Sequence, residues 1–417
     1  MTPSSLSNPL PVTTAQLEIA ALIEEQLSIP TSELVETASL LGRILSVDIV
    51  SPINVPPHDN SAMDGFAVRY SDLNVTVPTC LEVIGQAHAG QAHSLVLDKG
   101  QAVRIMTGAK MPLGADTVVP QEALGSQNLQ AAKVLIPCSQ TAGQNRRFAG
   151  EDLTKGKPAL LKGRRLTPSD MGLIASLGIE KATVYQRLRV AFFSTGNEVA
   201  SLGETLTDGQ IYDSNRYTLL GMLTQLGVEV IDLGVVRDNP EALEAMLQRA
   251  TLSADLIISS GGVSVGEADF TRDVMAKLGR VDFCTIAMRP GRPMAVGLVG
   301  KSLYFGLPGN PVAVMVTFHF FVQDAIRKLA GEVYKSPAPI LVQSATFWRK
   351  RPGRTEFQRA RLLQDETGKT VVETTGQQGS GVLRSMSEAD CLVVLPHDSD
   401  NVPVGSWVEI VKFAALS

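Results

Sequence analysis

The segment from residue 188 to 331 constrains the fold most, because strand-like and helix-like runs alternate along its whole length. Each apolar run of strand length is followed by a longer run with helical periodicity. Alternation at this spacing predicts βαβ crossovers and a parallel sheet covered on both faces. Ligands of such sheets bind beyond the carboxyl ends of the strands, so the loops that follow the strands form the candidate site. The predicted strands are RVAFFST, VEVIDLGVV, ADLIISS and SLYFGLPG.

The rest of the chain predicts three further units. Helical periodicity over residues 15–50 predicts two helices, with Ser32 capping the second. Short alternating runs separated by Gly, Pro and Asp then predict a β-rich module, and an all-β pattern near the C-terminus predicts a small barrel or sandwich. The β-rich module is an insertion if the segment after it packs back on the N-terminal helices. The expected domains are a helical and extended linear domain (12–50 and 145–187), an inserted β-rich domain (51–144), an α/β domain (188–331) and a C-terminal β-barrel (338–417).

Composition excludes several classes of function. The formal net charge is −5, which argues against a nucleic-acid binder because such proteins carry a strongly basic domain or stripe. The four cysteines are scattered and form no CxxC pair, so neither a zinc knuckle nor a disulfide framework is indicated. The most apolar run, VAVMVTFHFFV, is shorter than the roughly 20 residues that span a bilayer. No secretory signal is evident at the N-terminus, and we expect a cytoplasmic protein.

Three glycine-rich loops follow predicted strands of the α/β segment: STGNE, SSGGVSVGEAD and GLPGNP. Glycine allows a ligand to approach the backbone, and helix starts offer unpaired N–H groups, so this edge suits phosphate or another oxyanion. Each loop also has a purely structural interpretation. The last is a tight turn in which Pro311 starts a helix, while Asp238 and Asp269 can serve as helix caps.

Charged side chains favour the ligand interpretation of this edge. Glu198, Asp238, Glu267 and Asp269 would converge on one rim, where uncompensated like charges are costly and Mg²⁺ bridging to ligand phosphates would relieve the repulsion. The loop MRPGRP places two guanidinium groups on a stiff segment that suits bidentate binding of phosphate or a tetrahedral oxyanion. The alternative for these arginines is a solvated pair on the surface.

Other polar motifs carry weaker signals. Asp64 in NSAMDGFAV is either turn chemistry or a metal ligand, and the charged loop QNRRFAGED can be a solvated surface segment. His88 and His93 lack the spacing and further ligands of a metal site. The run AVGLVGKS lacks the first glycine of a P-loop, and GQQGSG (376–381) matches too little of a dinucleotide fingerprint. We expect the basic run WRKRPGR (348–354) to protect a sheet edge.

Taken together, these motifs resemble the molybdopterin molybdenumtransferase family, which includes the C-terminal domain of gephyrin. The resemblance rests on DNSAMDGFAV, RIMTGA, GQNRRFAGED, STGNE, DGQIYDSNR, SSGGVSVGEAD, RPGRPMA and GLPGNPVA, which occur in the family's order. It implies an elongated homodimer of four-domain subunits: a linear domain, an inserted β domain, a molybdopterin-binding α/β domain and a C-terminal β-barrel. The implied reaction inserts molybdate into adenylylated molybdopterin with Mg²⁺ and releases AMP.

The resemblance also implies roles for individual residues. Glu198, Asp238 and Asp269 would form the acidic rim that handles Mg²⁺ and the pyrophosphate linkage, and with Asp64 they are the expected catalytic residues. Thr107 would lie with Asp64 in a site on the other subunit. The expected contacts to pterin, phosphate or molybdate come from Arg146, Ser260, Gly261, Gly262, Ser264, Arg289, Arg292, Pro308 and Pro311.

Two departures from the family pattern affect these expectations. Asn197 stands where the family often has Asp, and Arg289 and Arg292 replace the more usual lysines. Arginine keeps the charge, so anion binding should survive, whereas Asn197 cannot be an anionic ligand or base. Two alternatives stay open: a molybdopterin adenylyltransferase, and a non-catalytic molybdopterin scaffold or carrier. An adenylyltransferase and apo-molybdoenzymes are possible partners.

Overall fold

The computed structural model describes residues 9–26, 30–124, 129–130, 132–263, 269–334 and 339–413. The α-helices, numbered α1 to α8 along the chain, are Val12–Gln26, Pro168–Ser176, Ser214–Gln225, Pro240–Ser253, Asp269–Leu278, Pro311–Thr317, Gln323–Leu329 and Leu383–Ser387. The strands, numbered β1 to β26, are Ser32–Glu36, Ile49–Val50, Asn60–Ser61, Gly65–Val68, Thr79–Ala87, Gln101–Ile105, Thr117–Pro120, Leu129–Gln130, Lys133–Ile136, Arg146–Arg147, Pro158–Leu160, Lys181–Tyr185, Arg189–Thr195, Val199–Ala200, Ile211–Tyr212, Glu229–Val236, Leu256–Ser260, Gly279–Thr285, Met288–Arg289, Pro293–Val299, Ser302–Leu307, Ile340–Ser344, Thr355–Gln364, Thr370–Thr374, Cys391–Leu395 and Trp407–Lys412.

The predicted parallel α/β sheet is confirmed, with strand order β16-β13-β17-β21-β20-β18. The first four strands are mutually parallel, and β20 and β18 extend the sheet as antiparallel neighbours. Alternate side chains of the central strands pack on opposite layers of helices. Phe192 and Ile258 share a core with α3 and α6, whereas Phe193 and Ile257 share one with α4 and α5. The carboxyl ends of β13, β17 and β21 therefore form one accessible edge.

The predicted second N-terminal helix is wrong, because Ser32–Glu36 is a strand. It pairs antiparallel with β12, from Ser32 opposite Tyr185 to Glu36 opposite Lys181. Its exposure alternates along the chain, as a half-buried strand requires, so long-range pairing overrides the helical spacing. The first helix, α1, lies against α7 of the α/β unit, and Gln16 Nε2 donates to the Phe320 carbonyl at 3.1 Å.

The stretch of chain from β1 to β3 pairs with the stretch from β10 to β12, and a separate six-stranded sheet lies between the two in the sequence. The strands β1, β2 and β3 pair with β12, β11 and β10 respectively, while the sheet between them has the order β7-β4-β6-β5-β9-β8. The helix α2 begins at a capping box in which Thr167 and Asp170 bond reciprocally, as the Thr-Pro start predicts. This arrangement supports an inserted β module, and the four domain ranges stay predictions.

The C-terminal strands close into a barrel, which confirms the expected β unit. The ring runs β23-β24-β22-β26-β25 and returns to β23. The barrel is tied to the α/β unit by β19, because Met288 and Arg289 pair in parallel with Thr355 and Glu356 at the start of β23. The arginine loop and the barrel therefore meet at one place. Within the described residues, no helix combines the length and apolar character that a membrane crossing requires.

Candidate active site

A cavity of about 1040 Å³ lies between the carboxyl edge of the α/β sheet and the C-terminal barrel. Loops after β13, β16, β17 and β21 contribute to its wall, as does the arginine loop between β19 and β20. Most of the predicted site residues meet here. Those that line the cavity are Glu198, Asp238, Ser260, Gly261, Gly262, Arg289, Arg292, Pro308 and Pro311.

The paired glycines after β17 are required by close contact with the neighbouring strand. Gly261 has φ +93°, and a Cβ on it would lie 2.7 Å from the carbonyl oxygen of Thr195. Gly262 also has a positive φ, of +67°. Larger residues would be strained in these conformations, so the backbone itself forms this part of the wall. Ser264 lies outside the described residues, and only the backbone of Asp269, the first residue of α5, is described.

Two carboxylates occupy the rim of the cavity. Asp238 accepts a hydrogen bond from the backbone N–H of Asn197 at 3.2 Å, and its own N–H donates to Asn197 Oδ1 at 3.3 Å. Asn197 therefore joins the loops that follow β13 and β16, a structural role that needs no negative charge. The Glu198 carboxylate folds back over Gly196, where an added Cβ would lie 2.6 Å from Glu198 Oε2.

These carboxylates fit Mg²⁺ only in combination with a ligand. Within the described ranges, no group of three or more His, Cys, Asp or Glu side chains could hold a metal by itself. Mg²⁺ is commonly held by one or two carboxylates together with substrate phosphates. Glu198 and Asp238 lie exposed on the cavity rim and match that pattern.

A buried glutamate positions two arginines of the wall. Glu356 is 2% exposed, and its Oε1 lies 3.0 Å from Arg354 Nη2. Its Oε2 lies 3.9 Å from Arg289 Nη1. With Arg292, which also lines the cavity, the wall carries three guanidinium groups and one neutralising carboxylate. Such a wall attracts anions, and guanidinium forks bind phosphate-like oxyanions in a bidentate manner.

The barrel contributes residues that the sequence analysis did not assign to the site. Arg354 lies in the basic run expected to protect a sheet edge, and residues 378–381 lie in the glycine-rich segment GQQGSG; both line the cavity. The buried Arg359 holds this segment by donating to the carbonyls of Gln377, Gln378 and Gly379. Sequence spacing could not place these residues, because they reach the wall through the pairing of β19 with β23.

A polar wall on the α3 side of the cavity was also missed. Asp213 caps α3 by accepting from the backbone N–H of Arg216 at 3.0 Å. Asn215 Nδ2 donates to Ser260 Oγ at 2.8 Å and to the Gly309 carbonyl at 2.6 Å. Both residues line the cavity together with Ser194. The motif DGQIYDSNR, which contains Asp213 and Asn215, was the available signal.

The remaining predicted residues lie elsewhere in the subunit. Asp64 accepts from the backbone N–H of Thr107 at 2.6 Å and from its hydroxyl at 2.7 Å. These bonds lower the pKa of Asp64. Arg146 pairs with Asp59 and stacks 4.8 Å over the Phe148 ring. None of Asp64, Thr107 or Arg146 is among the described residues that line the cavity.

No catalytic cysteine is indicated in the described part of the chain. Burial raises the pKa of both Cys284 and Cys391 to about 12, so neither thiol is ionised at neutral pH. Cys80 and Cys138 lie in the inserted β module, away from the cavity wall. The chemistry of the cavity therefore rests on arginines, carboxylates, hydroxyls and backbone groups.

Comparison with known proteins gives matches along nearly the whole chain. Family models match in three segments: the MoeA N-terminal region (domain I and II) at residues 10–178, a probable molybdopterin binding domain at 191–328, and the MoeA C-terminal region (domain IV) at 342–413. A molybdopterin molybdenumtransferase of Haemophilus influenzae is 42% identical over 394 residues, which cover 94% of this chain and 96% of that protein. A protein of the same name from Nostoc sp. is 37% identical, with coverage of 91% and 88%.

Solved structures agree with these matches. A crystal structure of a molybdopterin biosynthesis MoeA protein from Pyrococcus horikoshii OT3 has a TM-score of 0.81 at 27% identity, covering 97% of this chain and all of that one. A second Pyrococcus crystal structure of a protein with the same description has a TM-score of 0.76 at 32% identity, with coverage of 97% and 99%.

Proposed function

This chain belongs to the molybdopterin molybdenumtransferase family, and on that premise we propose that it inserts molybdate into adenylylated molybdopterin and releases AMP. As a member, it is a transferase of molybdenum cofactor biosynthesis. The observation that carries the specific reaction is the composition of the cavity wall. Three arginines, two rim carboxylates and a bare glycine backbone surround a space that can hold a substrate with a pyrophosphate linkage and an oxyanion.

The arginines act on the charge that develops during the reaction. Breaking the phosphoanhydride bond of the adenylylated substrate builds negative charge on phosphate oxygens as AMP departs. Preorganised guanidinium groups of Arg289 and Arg292 stabilise that charge, an effect that typically changes rates by about 10²- to 10³-fold per group. Glu356 holds Arg354 in place through a 3.0 Å ion pair and attracts Arg289 through a longer one of 3.9 Å.

The rim carboxylates have a separate task. Glu198 and Asp238, with Asp269 at the start of α5, would hold Mg²⁺ against the substrate phosphates. The ion, when bound, supplies positive charge to the pyrophosphate linkage. The sulfur ligands that receive molybdenum belong to the substrate, so the protein needs no reactive thiol.

Further expectations belong to this proposal. Asp64 and Thr107 lie away from the cavity of their own subunit, which supports a homodimer in which they complete the site of the partner. Arg146 donates to Asp59 and does not line the cavity of its own subunit, so any contact that it makes with the cofactor would be in the site of the partner. An adenylyltransferase that supplies the substrate, apo-molybdoenzymes that accept the product, and a cytoplasmic location stay predictions.

The alternatives raised from the sequence are less well supported. A molybdopterin adenylyltransferase or a carrier would not account for whole-length similarity to proteins named molybdopterin molybdenumtransferase. Exclusion of nucleic acid as a partner stays a prediction from the charge balance.

Release of AMP from adenylylated molybdopterin, measured with and without molybdate, tests the proposal. We expect release to require both molybdate and Mg²⁺, and to stop when EDTA removes the metal. The variant Asp238→Asn keeps an oxygen that can accept from the Asn197 N–H, so the loop should be preserved. It should bind the substrate yet release AMP at least about 10²-fold more slowly. Unchanged turnover by this variant would remove Asp238 from the mechanism, and AMP release without molybdate would argue against the transferase.

A further inference from the structure

Three polar atoms are buried in the α3 wall of the cavity without a hydrogen-bond partner among the described residues: Ser194 Oγ, Asp213 Oδ2 and Asn215 Oδ1. Ser194 is 2% exposed and Asp213 is 4% exposed. Buried polar groups are nearly always hydrogen-bonded, and a buried carboxylate oxygen without a donor is especially costly. All three residues line the cavity, so a bound ligand can supply what they lack.

The local structure brings these atoms to one side of the sheet edge. Side chains alternate along a strand, so Ser194 points to the same face as Phe192, which packs with α3. Asp213 and Asn215 lie at the start of α3, on that same face. The contact of Asn215 with Ser260 joins the helix start to the end of β17.

The hydrogen-bond capacity of this wall is specific. Both hydrogens of the Asn215 amide are used by Ser260 and Gly309, which leaves its oxygen as an acceptor. One oxygen of Asp213 caps α3, and the other is an acceptor as well. Ser194 can donate or accept. A complementary ligand therefore presents at least two hydrogen-bond donors, such as N–H groups.

We propose that Asp213, Asn215 and Ser194 form a subsite for the aminopyrimidine edge of the pterin. This inference rests on the proposed function, which supplies molybdopterin as the ligand. A pterin carries an amino group beside a ring N–H, two adjacent donors that match two buried acceptors. Adenine has an amino group flanked by ring nitrogens without hydrogen. Phosphate and molybdate are anions that a carboxylate repels, and they fit the arginines that also line the cavity.

The subsite orients the whole substrate. With the pterin edge held at α3, the dithiolene and the phosphate extend past the glycines after β17, which adjoin Ser260, toward Arg289 and Arg292. The carboxylate of Asp213 is thus a binding and specificity residue for the transferase reaction, in addition to its role as a helix cap.

The test is to measure binding of molybdopterin without its adenylate to Asp213→Asn, under anaerobic conditions and in EDTA. Asparagine is as good an N-cap as aspartate, so α3 should be retained. The substitution replaces the free acceptor by an N–H₂ donor that opposes the donors of the pterin. Asp213→Ser also keeps a capping oxygen, but it removes the second acceptor without putting a donor in its place.

We expect the dissociation constant of molybdopterin to rise about 10- to 100-fold in Asp213→Asn, because a buried hydrogen bond to a charged group is lost. Inhibition by AMP and the thermal unfolding midpoint should stay unchanged. The matched control is Asp232→Asn. This carboxylate, on β16, pairs with Arg216 of α3 but does not line the cavity. It should bind molybdopterin as the wild type does.

The outcomes separate this inference from the function on which it rests. If the wild type itself fails to bind molybdopterin, both the proposed function and the pterin subsite are overturned. If wild type and Asp213→Asn bind equally, only the pterin subsite is overturned. If binding in EDTA is unchanged but the variant needs more Mg²⁺ for turnover, Asp213 is a cation ligand and the pterin assignment is wrong.

Discussion

Single residues in this chain often serve two purposes that the sequence does not separate. Asp213 lies within a recognisable motif, yet its capping bond and its second, buried oxygen become visible only when α3 is placed against the sheet edge. The arginines of MRPGRP were easier to predict, because a short Pro-Gly spacer fixes two permanent charges close together. The ion pair of Glu356 with Arg289 could not be predicted, because the two residues lie far apart along the chain and no local pattern marks such a pair.

At the same scale, Thr107 controls the ionisation of Asp64. The first bond that lowers the pKa of Asp64 comes from the backbone N–H of Thr107, and the second comes from its hydroxyl. Thr107→Val removes only the second bond, so the pKa should rise toward its ordinary value without reaching it. Any stability from this carboxylate is present above its unfolded-state pKa and is lost as the pH falls through the folded pKa, so that loss should be smaller and should be complete at a higher pH in the variant.

A titration followed by carboxyl ¹³C NMR measures this shift directly. Thr107→Ser is the control, because it keeps the hydroxyl and should leave the pKa of Asp64 low. An unchanged pKa in Thr107→Val would mean that the hydroxyl bond does not influence the carboxylate in solution.

At the scale of elements, the sequence predicted the regular α/β unit well and the irregular connections poorly. The strands and helices between β13 and α7 follow the periodicity because packing and local preference agree there. The strand β1 was predicted as a helix, since its pairing partner β12 lies about 150 residues away in the chain. Pairing between distant parts of the chain also explains why the barrel residues of the cavity wall could not be predicted, because the barrel meets the arginine loop through the pairing of β19 with β23.

The buried Arg359 should decide the order of the barrel segment that lines the cavity. Its guanidinium donates to three consecutive carbonyls and to Ser385 Oγ at 3.0 Å. Arg359→Met would leave these acceptors unsatisfied, each at a cost of about 1–3 kcal/mol. We expect the amide hydrogens of residues 376–381 to exchange faster and the barrel to unfold at a lower temperature.

Arg361 offers a matched control, because it is an exposed arginine on the same strand. Hydrogen exchange followed by mass spectrometry should show no change at residues 376–381 in Arg361→Met. Equal protection in wild type and Arg359→Met would show that the segment is held by other contacts.

At the scale of the whole molecule, the separation of Asp64 from the cavity predicts sites shared between subunits. Asp64→Asn and Asp238→Asn homodimers should each be inactive. Mixing the two by denaturation and refolding produces heterodimers in which one of the two sites has both carboxylates. Random pairing should therefore restore about a quarter of the wild-type activity, as expected for a symmetric dimer. An inactive mixture that has exchanged subunits would show that each subunit uses its own Asp64.

The family, the α/β unit and the barrel could be predicted from the sequence, because the motifs of the family occur in their usual order along the chain. The arrangement of the cavity was only partly predictable, since its wall combines residues from the sheet edge, the arginine loop and the barrel. The acidic rim illustrates the difference: Glu198 and Asp238 both line the cavity, and the hydrogen bonds by which Asn197 links two loops could not be predicted from the sequence.

The most direct measurement is the formation of active molybdenum cofactor by the purified chain. The protein is incubated with adenylylated molybdopterin, Mg²⁺ and molybdate, and the product is assayed by activation of an apo-molybdoenzyme while AMP is quantified in the same samples. We predict one AMP for each cofactor formed, with both products absent when molybdate is omitted. Tight binding of the adenylylated substrate without AMP or active cofactor would contradict the account and would make this chain a carrier.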